Sequence, residues 1–153
     1  MNSSTCIIRP ATKSDVGSVL NLIRELAQYE NAPHEVSNTE QQLAHDLFGD
    51  NPVCECIVAV HETQVVGFAL FYTAYSTWKG KCLYLEDLYV QEKFRRSGIG
   101  KLLFDVVLHL AKSRGMKRLS WQVLEWNEPA IQFYKKYRAE LDSEWINGKI
   151  RLD

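Results

Sequence analysis

The sequence has no long apolar stretch and no excess of charge of one sign. Its most apolar segment, residues 65–75, is much shorter than the ~20 residues that a membrane-spanning helix needs. The start of the chain has no apolar run of the kind found in secretory signals, so we expect a soluble, cytoplasmic protein. Eighteen basic and nineteen acidic residues give a net charge of −1. This near-neutral sum argues against a dedicated nucleic-acid-binding protein, but it does not exclude a small charged ligand.

Cysteine is scarce, and no two cysteines have the spacing of a metal or redox motif. Cys6, Cys54, Cys56 and Cys82 form no C-x-x-C pair, so the pattern favours neither a zinc site nor a disulfide framework. We interpret them as small apolar core residues of a protein in a reducing compartment.

Hydrophobic periodicity predicts one α/β domain over residues 1–153. The predicted order is β-α-α-β-β-β-α-β-α, with strands at 6–9, 54–60, 65–75, 81–90 and 117–124, and with helices after the caps at 14–15 and 37–40 and over 98–114 and 127–137. The Asn147-Gly148 pair predicts a terminal strand or hairpin over residues 144–152. Hairpins followed by strand–helix–strand indicate a mixed sheet, antiparallel at first and parallel around the long helix.

The turn before the third predicted helix combines glycine with basic residues. Residues 95–101 read Arg-Arg-Ser-Gly-Ile-Gly-Lys. Glycine allows positive φ and close approach of a ligand, and the N–H groups at a helix start attract anions. These features are typical of a phosphate site and also of an ordinary flexible turn. The segment is not a Walker A loop, and Leu103 stands where a dinucleotide fingerprint has its third glycine.

This segment resembles the R/Q-x-x-G-x-G/A signature of the GNAT acetyltransferase superfamily, with Arg95, Gly98 and Gly100 at its fixed positions. The segments IRPAT, RELAQYE, YSTWKGKCLYLEDLYV and LEWNEPAIQFYKK resemble the spermidine/spermine and thialysine acetyltransferases, and they are spread over nearly the whole chain. The resemblance implies a mixed, bent β-sheet flanked by helices, an α/β (α+β) fold whose fourth and fifth strands splay apart around acetyl-CoA. It implies no metal.

By resemblance, acetyl-CoA is expected to contact the fourth strand, the glycine turn and the last helix. The pantetheine would pair with the strand backbone, and the pyrophosphate would lie on backbone N–H groups of the turn. The residues implied are Leu88, Tyr89, Val90, Arg95, Arg96, Ser97, Gly98, Ile99, Gly100, Lys101, Asn127, Tyr134 and Lys136.

Acetylation of an amine requires that the amine lose a proton. A lysine-like ammonium has a pKa of about 10.4, so holding it neutral near pH 7 costs roughly 4–5 kcal/mol. Glu86 and Asp87 interrupt the apolar fourth strand, and by alternation they would face opposite sides of the sheet unless a bulge intervenes. The resemblance assigns amine binding and water-mediated deprotonation to Glu86. We interpret Asp87 as structural, bonded to a helix start or a basic side chain, and a structural ion pair is the alternative for both.

Tyr134 is the candidate acid. A buried, hydrogen-bonded tyrosine on the last helix would be ordinary, but its IQFYKK context matches the family tyrosine that protonates the CoA thiolate. A backbone N–H near Leu88 is expected to polarise the carbonyl.

The amine end is expected to be acidic. Tyr29 and Glu30 match the substrate-contacting pair of the polyamine enzymes, and Ser76 and Thr77 resemble the thialysine branch, where they can hydrogen-bond an amino-acid head group. We therefore predict thialysine or related diamines as substrates, with spermidine/spermine or protein amines as alternatives. By this resemblance, Arg138 stands where the family usually has glycine, and the C-terminal segment is shorter than in these relatives.

Other function classes fit the sequence less well. A catalytically silent acyl-CoA-binding regulatory module would not need both Glu86 and Tyr134, and an ATP-binding turn would need a Walker lysine and Mg²⁺ ligands. The expected partners are a small cationic amine and, by resemblance, a second copy of the chain in a homodimer, with no nucleic acid or membrane.

Overall fold

The computed structural model describes residues 6–152 and contains a five-stranded mixed sheet. The strands are β1 (Cys6–Pro10), β2 (Glu55–His61), β3 (Gln64–Ser76), β4 (Gly80–Val90) and β5 (Leu119–Ser120). They lie in the order β1-β2-β3-β4-β5, antiparallel from β1 to β4 and parallel between β4 and β5. The predicted mixed α/β sheet is confirmed.

Four α-helices accompany the sheet in the described part of the chain. They are α1 (Val16–Tyr29), α2 (Glu40–Phe48), α3 (Ile99–Ser113) and α4 (Glu128–Lys135), and short 3₁₀ turns lie at Lys13–Asp15, Pro33–Glu35 and Glu92–Phe94. The predicted cap of α2 at Ser37 is wrong by two residues. Thr39 has the extended backbone of an N-cap, and its hydroxyl accepts a hydrogen bond from the Gln42 N–H at 3.1 Å, which satisfies one amide of the first turn. No helix among the described residues is long and apolar enough to cross a membrane.

The two faces of the sheet are covered by different helices. Phe68 and Leu70 of β3 are buried in one apolar core with residues of α1 and α2. The intervening residues of β3 point to the other face because side chains alternate along a strand. There α3 approaches closely: a Cβ added to Gly67 would lie 2.9 Å from the Tyr89 carbonyl oxygen and 3.3 Å from Leu103 Cδ1. Glycine at this position therefore allows the close packing of α3 on the sheet.

The described chain forms two compact units, one ending at Gln122 and the other starting at Val123. The single-domain extent of 1–153 stays a prediction. In the first unit, the predicted strand 117–124 is shortened to Leu119–Ser120.

The predicted terminal strand or hairpin over residues 144–152 is wrong, since residues 139–152 form no regular secondary structure. Its apolar side chains stay in solvent, and Ile146 is 96% exposed. An isolated two-stranded hairpin is at best marginally stable without an apolar face to bury, so the Asn-Gly turn signal alone does not form one.

Candidate active site

A β-bulge in β4 brings two carboxylates to one face of the sheet. Leu70 of β3 lies opposite Asp87, whereas the next residue, Phe71, lies opposite Leu85, so Glu86 is an extra residue in β4. Cross-strand partners share a face. Asp87 therefore points to the side of Leu70, which is the side of α1, and Leu85 points to the side of α3.

Glu86 also reaches the α1 side. Tyr72 of β3 lies two residues after Leu70, on the same face, and its hydroxyl donates a hydrogen bond to Glu86 Oε1 at 3.4 Å. The expectation of opposite faces, based on simple alternation, therefore fails because of the bulge. Within residues 6–152, neither Glu86 nor Asp87 forms a salt bridge with a basic side chain, so the ion-pair alternative and the basic partner expected for Asp87 are not observed.

Three carboxyl groups interact at this place: Glu30, Glu86 and Asp87. Burial, and then the charge of Glu86, raises the pKa of Glu30. Burial, with smaller contributions from Glu86 and Glu30, raises the pKa of Asp87 from 3.8 to about 7. The site thus concentrates negative charge, and Asp87 carries a proton part of the time near neutral pH. A cation bound here would relieve the repulsion among the carboxylates.

Replacing Asp87 by asparagine is expected to stabilise the protein strongly at pH 8 and by less than half as much at pH 5. Because the folded-state pKa is about 7 against an ordinary 3.8, the folded protein binds a proton that the unfolded chain releases. The free energy of unfolding therefore falls as the pH rises from about 4 to about 7, by on the order of 4 kcal/mol for this group. Thermal denaturation at both pH values measures the effect.

Glu62→Gln is the control for the loss of one charge, since Glu62 is exposed in the turn between β2 and β3. Equal destabilisation of Asp87→Asn at both pH values would contradict the prediction, because it would mean that the ionised carboxylate makes a required contact.

Two tyrosines that the sequence analysis did not single out border the carboxylates. The rings of Tyr72 and Tyr84, which are paired across β3 and β4, lie 5.3 Å apart. Burial and then the charge of Glu86 raise the pKa of both phenols, so both stay protonated and can donate. In the sequence, the only hint of this pair was that both tyrosines lie on consecutive predicted strands. Which residues of β3 and β4 lie opposite each other had to be known before the two could be paired.

The end of α1 brings Tyr29 and Glu30 to this region. Tyr29 is the last residue of α1, and the Glu30 N–H donates to the Leu26 carbonyl oxygen at 2.9 Å. Asn31 has a φ of 61°, a left-handed conformation that asparagine adopts more readily than most residues and that ends the helix. Glu30 is thus held at the helix end, beside Glu86 and Asp87.

Ser76 and Thr77 lie elsewhere, at the tip of the β3–β4 hairpin. The Ser76 hydroxyl oxygen accepts hydrogen bonds from the N–H groups of Trp78 and Lys79 at 3.2 and 3.1 Å. Five residues separate Ser76 from Phe71, which is roughly 17 Å along a strand. The structure therefore does not bring Ser76 and Thr77 to the carboxylates, and their contact with substrate stays a prediction.

The glycine turn has the geometry of an anion site. Gly98, the N-cap of α3, has a φ of 87°, and Arg96 has a φ of 63°. As the N-cap, Gly98 has no side chain to cap the first turn of α3, so N–H groups of this turn can bind a ligand. The Ser97 hydroxyl instead donates to the Phe94 carbonyl oxygen at 2.5 Å. The turn therefore fits a phosphate bound by backbone.

The three basic side chains of this turn have different partners and different exposure. Lys101 forms a salt bridge with Asp105, one helical turn later, at 2.7 Å. Arg95 Nε donates to the Val90 carbonyl oxygen at 2.8 Å, and Arg96 is exposed. Of the three basic side chains in this turn, Lys101 is thus neutralised by an ion pair, and Arg95 is engaged by a backbone carbonyl.

The fourth and fifth strands pair over two residues only, Leu83 with Leu119 and Tyr84 with Ser120. β4 continues to Val90, six residues beyond Tyr84. The parallel pairing thus ends before the segment Leu88–Val90, and this agrees with the separation of these strands implied by the resemblance.

The second unit contains the remaining predicted residues. Asn127 caps α4, because its side-chain oxygen accepts from the Ala130 N–H at 3.4 Å. Tyr134 is buried, 8% exposed, and packs edge-on against Phe133 with ring centroids 5.3 Å apart. Lys136 is exposed. Arg138 has a φ of 58°, the left-handed conformation in which glycine commonly ends helices, so the substitution noted in the sequence falls on a strained position.

Backbone groups of two segments fit an extended anionic ligand such as acetyl-CoA. Within residues 6–152, no group of three or more His, Cys, Asp or Glu side chains is arranged to hold a metal ion. The uncapped start of α3 and the part of β4 beyond its pairing with β5 offer backbone N–H and C=O groups to an extended anionic ligand.

Comparisons with known proteins agree with this geometry. The model of the acetyltransferase (GNAT) family matches residues 19–138. The chain is 42% identical over 142 residues to thialysine N-epsilon-acetyltransferase of Bos taurus, covering 88% of this chain and 84% of that protein. It is 37% identical over 145 residues to spermidine/spermine N(1)-acetyltransferase-like protein 1 of Homo sapiens, covering 90% of this chain and 21% of that protein.

A solved structure shares the fold at low sequence identity. An aminoglycoside acetyltransferase from an uncultured soil metagenomic sample, in complex with trehalose, superimposes with a TM-score of 0.80 at 20% identity and 98% coverage of both chains. At this identity the likeness concerns the fold alone. The family match and the bovine relative, which both cover most of the sequence, show that the chain belongs to the acetyltransferase (GNAT) family and is an acyl-transferring enzyme.

Proposed function

We propose that the protein transfers the acetyl group of acetyl-CoA to the primary amine of a small cationic molecule, thialysine or a related diamine. The observation that carries the proposal is the meeting of Glu30, Glu86 and Asp87 on one face of the sheet, without basic partners among the described residues. A site of this charge attracts ammonium groups, and a substrate with two cationic groups would satisfy more than one carboxylate. The names of the relatives support thialysine as the first candidate.

The backbone of the glycine turn and of β4 would hold the cosubstrate. N–H groups of residues 96–101 would bind the phosphates, and the backbone of Leu88–Val90 would pair with the pantetheine. When bound, acetyl-CoA supplies the activated acetyl thioester that a neutral amine attacks. Asn127 and Lys136 are proposed as further contacts by resemblance.

Glu86 would accept the proton of the ammonium through a water molecule. Its Oε1 accepts a hydrogen bond from the Tyr72 hydroxyl, which orients the carboxylate without neutralising it. The Tyr134 hydroxyl would donate its proton to the departing sulfur, and a backbone N–H near Leu88 would polarise the carbonyl oxygen. Tyr29 and Glu30 would bind the distal part of the amine.

The choice of amine follows from its pKa. The β-thioether of thialysine withdraws electron density and lowers the pKa of its amine, so less help from the base is needed than for lysine. Spermidine or spermine is the second candidate, because a polyamine also carries several ammonium groups. A homodimer, a cytoplasmic location and the absence of nucleic-acid or membrane partners complete the proposal.

Release of CoA from acetyl-CoA with a panel of amines tests the proposal. Thialysine, lysine, a short diamine, spermidine and a basic peptide are compared at one acetyl-CoA concentration. We expect the highest kcat/KM with thialysine. A preference for spermidine would make the enzyme a polyamine acetyltransferase, and activity on the peptide alone would make it a protein acetyltransferase. Tight binding of acetyl-CoA without turnover of any amine would identify a silent regulatory module and overturn the proposal.

A further inference from the structure

Arg95 contacts two aromatic rings and one backbone carbonyl at the end of β4. Its guanidinium carbon lies 5.2 Å from the centroid of the Tyr29 ring and 5.3 Å from that of the Tyr89 ring. Its Nε donates to the Val90 carbonyl oxygen at 2.8 Å. The hydrogen bond to the Val90 carbonyl oxygen fixes the guanidinium at the end of β4. The ring contacts connect it to Tyr29, the last residue of α1.

A second connection joins the same two elements. The Tyr89 hydroxyl donates to Glu25 Oε1 at 3.1 Å, and Gln91 Nε2 donates to Glu25 Oε2 at 3.1 Å. Glu25 and Tyr29 are four residues apart on α1 and therefore lie on one face of the helix. The last turns of α1 are thus attached to the β4–α3 connection by a polar network at Glu25 and by Arg95 at Tyr29.

The space beside these contacts is not filled by apolar side chains. An open cavity of about 530 Å³ lies at this place and is lined by Glu25, Tyr29, Tyr89 and Arg95 together with further polar residues. The network therefore supplies contacts that attach Tyr29, and with it the adjoining Glu30, to the β4–α3 connection beside this cavity.

We infer that Arg95 is a positioning residue for the amine: its guanidinium holds Tyr29, and with it Glu30, against the turn that binds the cosubstrate. This inference rests on the proposed function of Tyr29 and Glu30 in binding the amine. It differs from the role that the signature implies for Arg95, which is to support the phosphates. The two roles make different predictions. Loss of a positioning role raises KM for the amine, whereas loss of a phosphate contact raises the Kd for acetyl-CoA.

Arg95→Lys separates these roles because lysine keeps the positive charge but has neither the planar head group nor the Nε–H bond to Val90. We expect KM for the amine to rise about fivefold or more, as contacts of a cation with two rings and a carbonyl are lost. The Kd for acetyl-CoA, measured by calorimetry without amine, should differ from the wild-type value by less than about twofold. Arg114→Lys is the matched control, because Arg114 is paired with Glu55 instead.

A double-mutant cycle tests the link through Tyr29. Tyr29→Leu removes the ring, and its effect on kcat/KM for the amine should be clearly smaller in the Arg95→Lys background than in the wild type. Additive effects would overturn the inference, as would a rise in the Kd for acetyl-CoA with an unchanged KM for the amine. If Arg95→Lys does not fold, Glu25→Gln weakens the same network from the helix side and should raise KM for the amine about two- to threefold.

The wild-type protein distinguishes this inference from the proposed function. Absence of turnover with every amine would overturn the proposed function and the role of Arg95 together. Turnover by the wild type with equal changes in KM for the amine and Kd for acetyl-CoA in Arg95→Lys would overturn the inference alone. Hydrogen exchange of residues 25–31 gives a readout independent of activity, and faster exchange in Arg95→Lys is expected.

Discussion

The Tyr134→Phe variant is expected to lose about 10²-fold or more in kcat while retaining the wild-type KM for the amine to within about threefold, as general-acid losses typically do. Phenylalanine keeps the ring that packs against Phe133 and removes only the hydroxyl that would protonate the departing sulfur. Without the acid, expulsion of the thiolate limits the rate. Steady-state kinetics of CoA release measures the change.

Tyr137→Phe is a closely matched control. The rings of Tyr134 and Tyr137 both contact Phe133, with centroids 5.3 and 5.6 Å away, so both variants remove one hydroxyl from the same aromatic cluster. Tyr137→Phe should leave kcat within about twofold of the wild-type value, because no step of the proposed reaction uses the Tyr137 hydroxyl. Equal losses in the two variants would show that Tyr134 has a structural role and would contradict the assignment.

Glu86→Gln is expected to lower kcat/KM for the amine by about 10²–10³-fold near neutral pH, the usual contribution of a general base. Glutamine can still accept the hydrogen bond from Tyr72, but it cannot take a proton from the ammonium. The variant then depends on amine that is already neutral in solution. That fraction rises about tenfold per pH unit below the amine pKa, which is about 10.4 for a lysine-like amine and lower for thialysine, so log(kcat/KM) should increase steadily with pH and approach the wild-type value at alkaline pH.

The pH profile separates deprotonation from simple charge attraction. A uniform loss of kcat/KM at all pH values would mean that Glu86 only attracts the ammonium, and its role as base would be wrong. Glu62→Gln, which removes an exposed carboxylate from the turn between β2 and β3, should behave as wild type. Spermidine and thialysine can be compared in the same experiment, since their amines differ in pKa.

Elements with strong local signals were predictable from the sequence. The polar turn between the second and third predicted strands forms a hairpin in which His61 pairs with Gln64, and Glu62 has the positive φ that such short turns require. The helix predicted over 98–114 is observed as Ile99–Ser113, because glycines bound it on both sides. The terminal hairpin failed for the opposite reason: its local turn signal was present, but its apolar residues have no buried face.

The carboxylate site was predictable only in part. Glu30 and Glu86 each matched a family position. Asp87 was misinterpreted because alternation places it opposite Glu86, and no local pattern reveals that β4 has one residue more than its partner between Leu85 and Asp87. Ser76 and Thr77 were included because they resemble the thialysine branch, although they lie at the tip of the β3–β4 hairpin, away from the carboxylates.

Short-range patterns in the sequence by themselves determined the order of strands and helices and the glycine-containing turn before α3, since caps, glycines and periodicity act over a few neighbouring residues. Only the tertiary structure decided that Glu86 and Asp87 share a face with Glu30, and that the Arg95 side chain lies over Tyr29. These contacts depend on the register of β3 and β4 and on the packing of α1, which are set by residues distant in the chain.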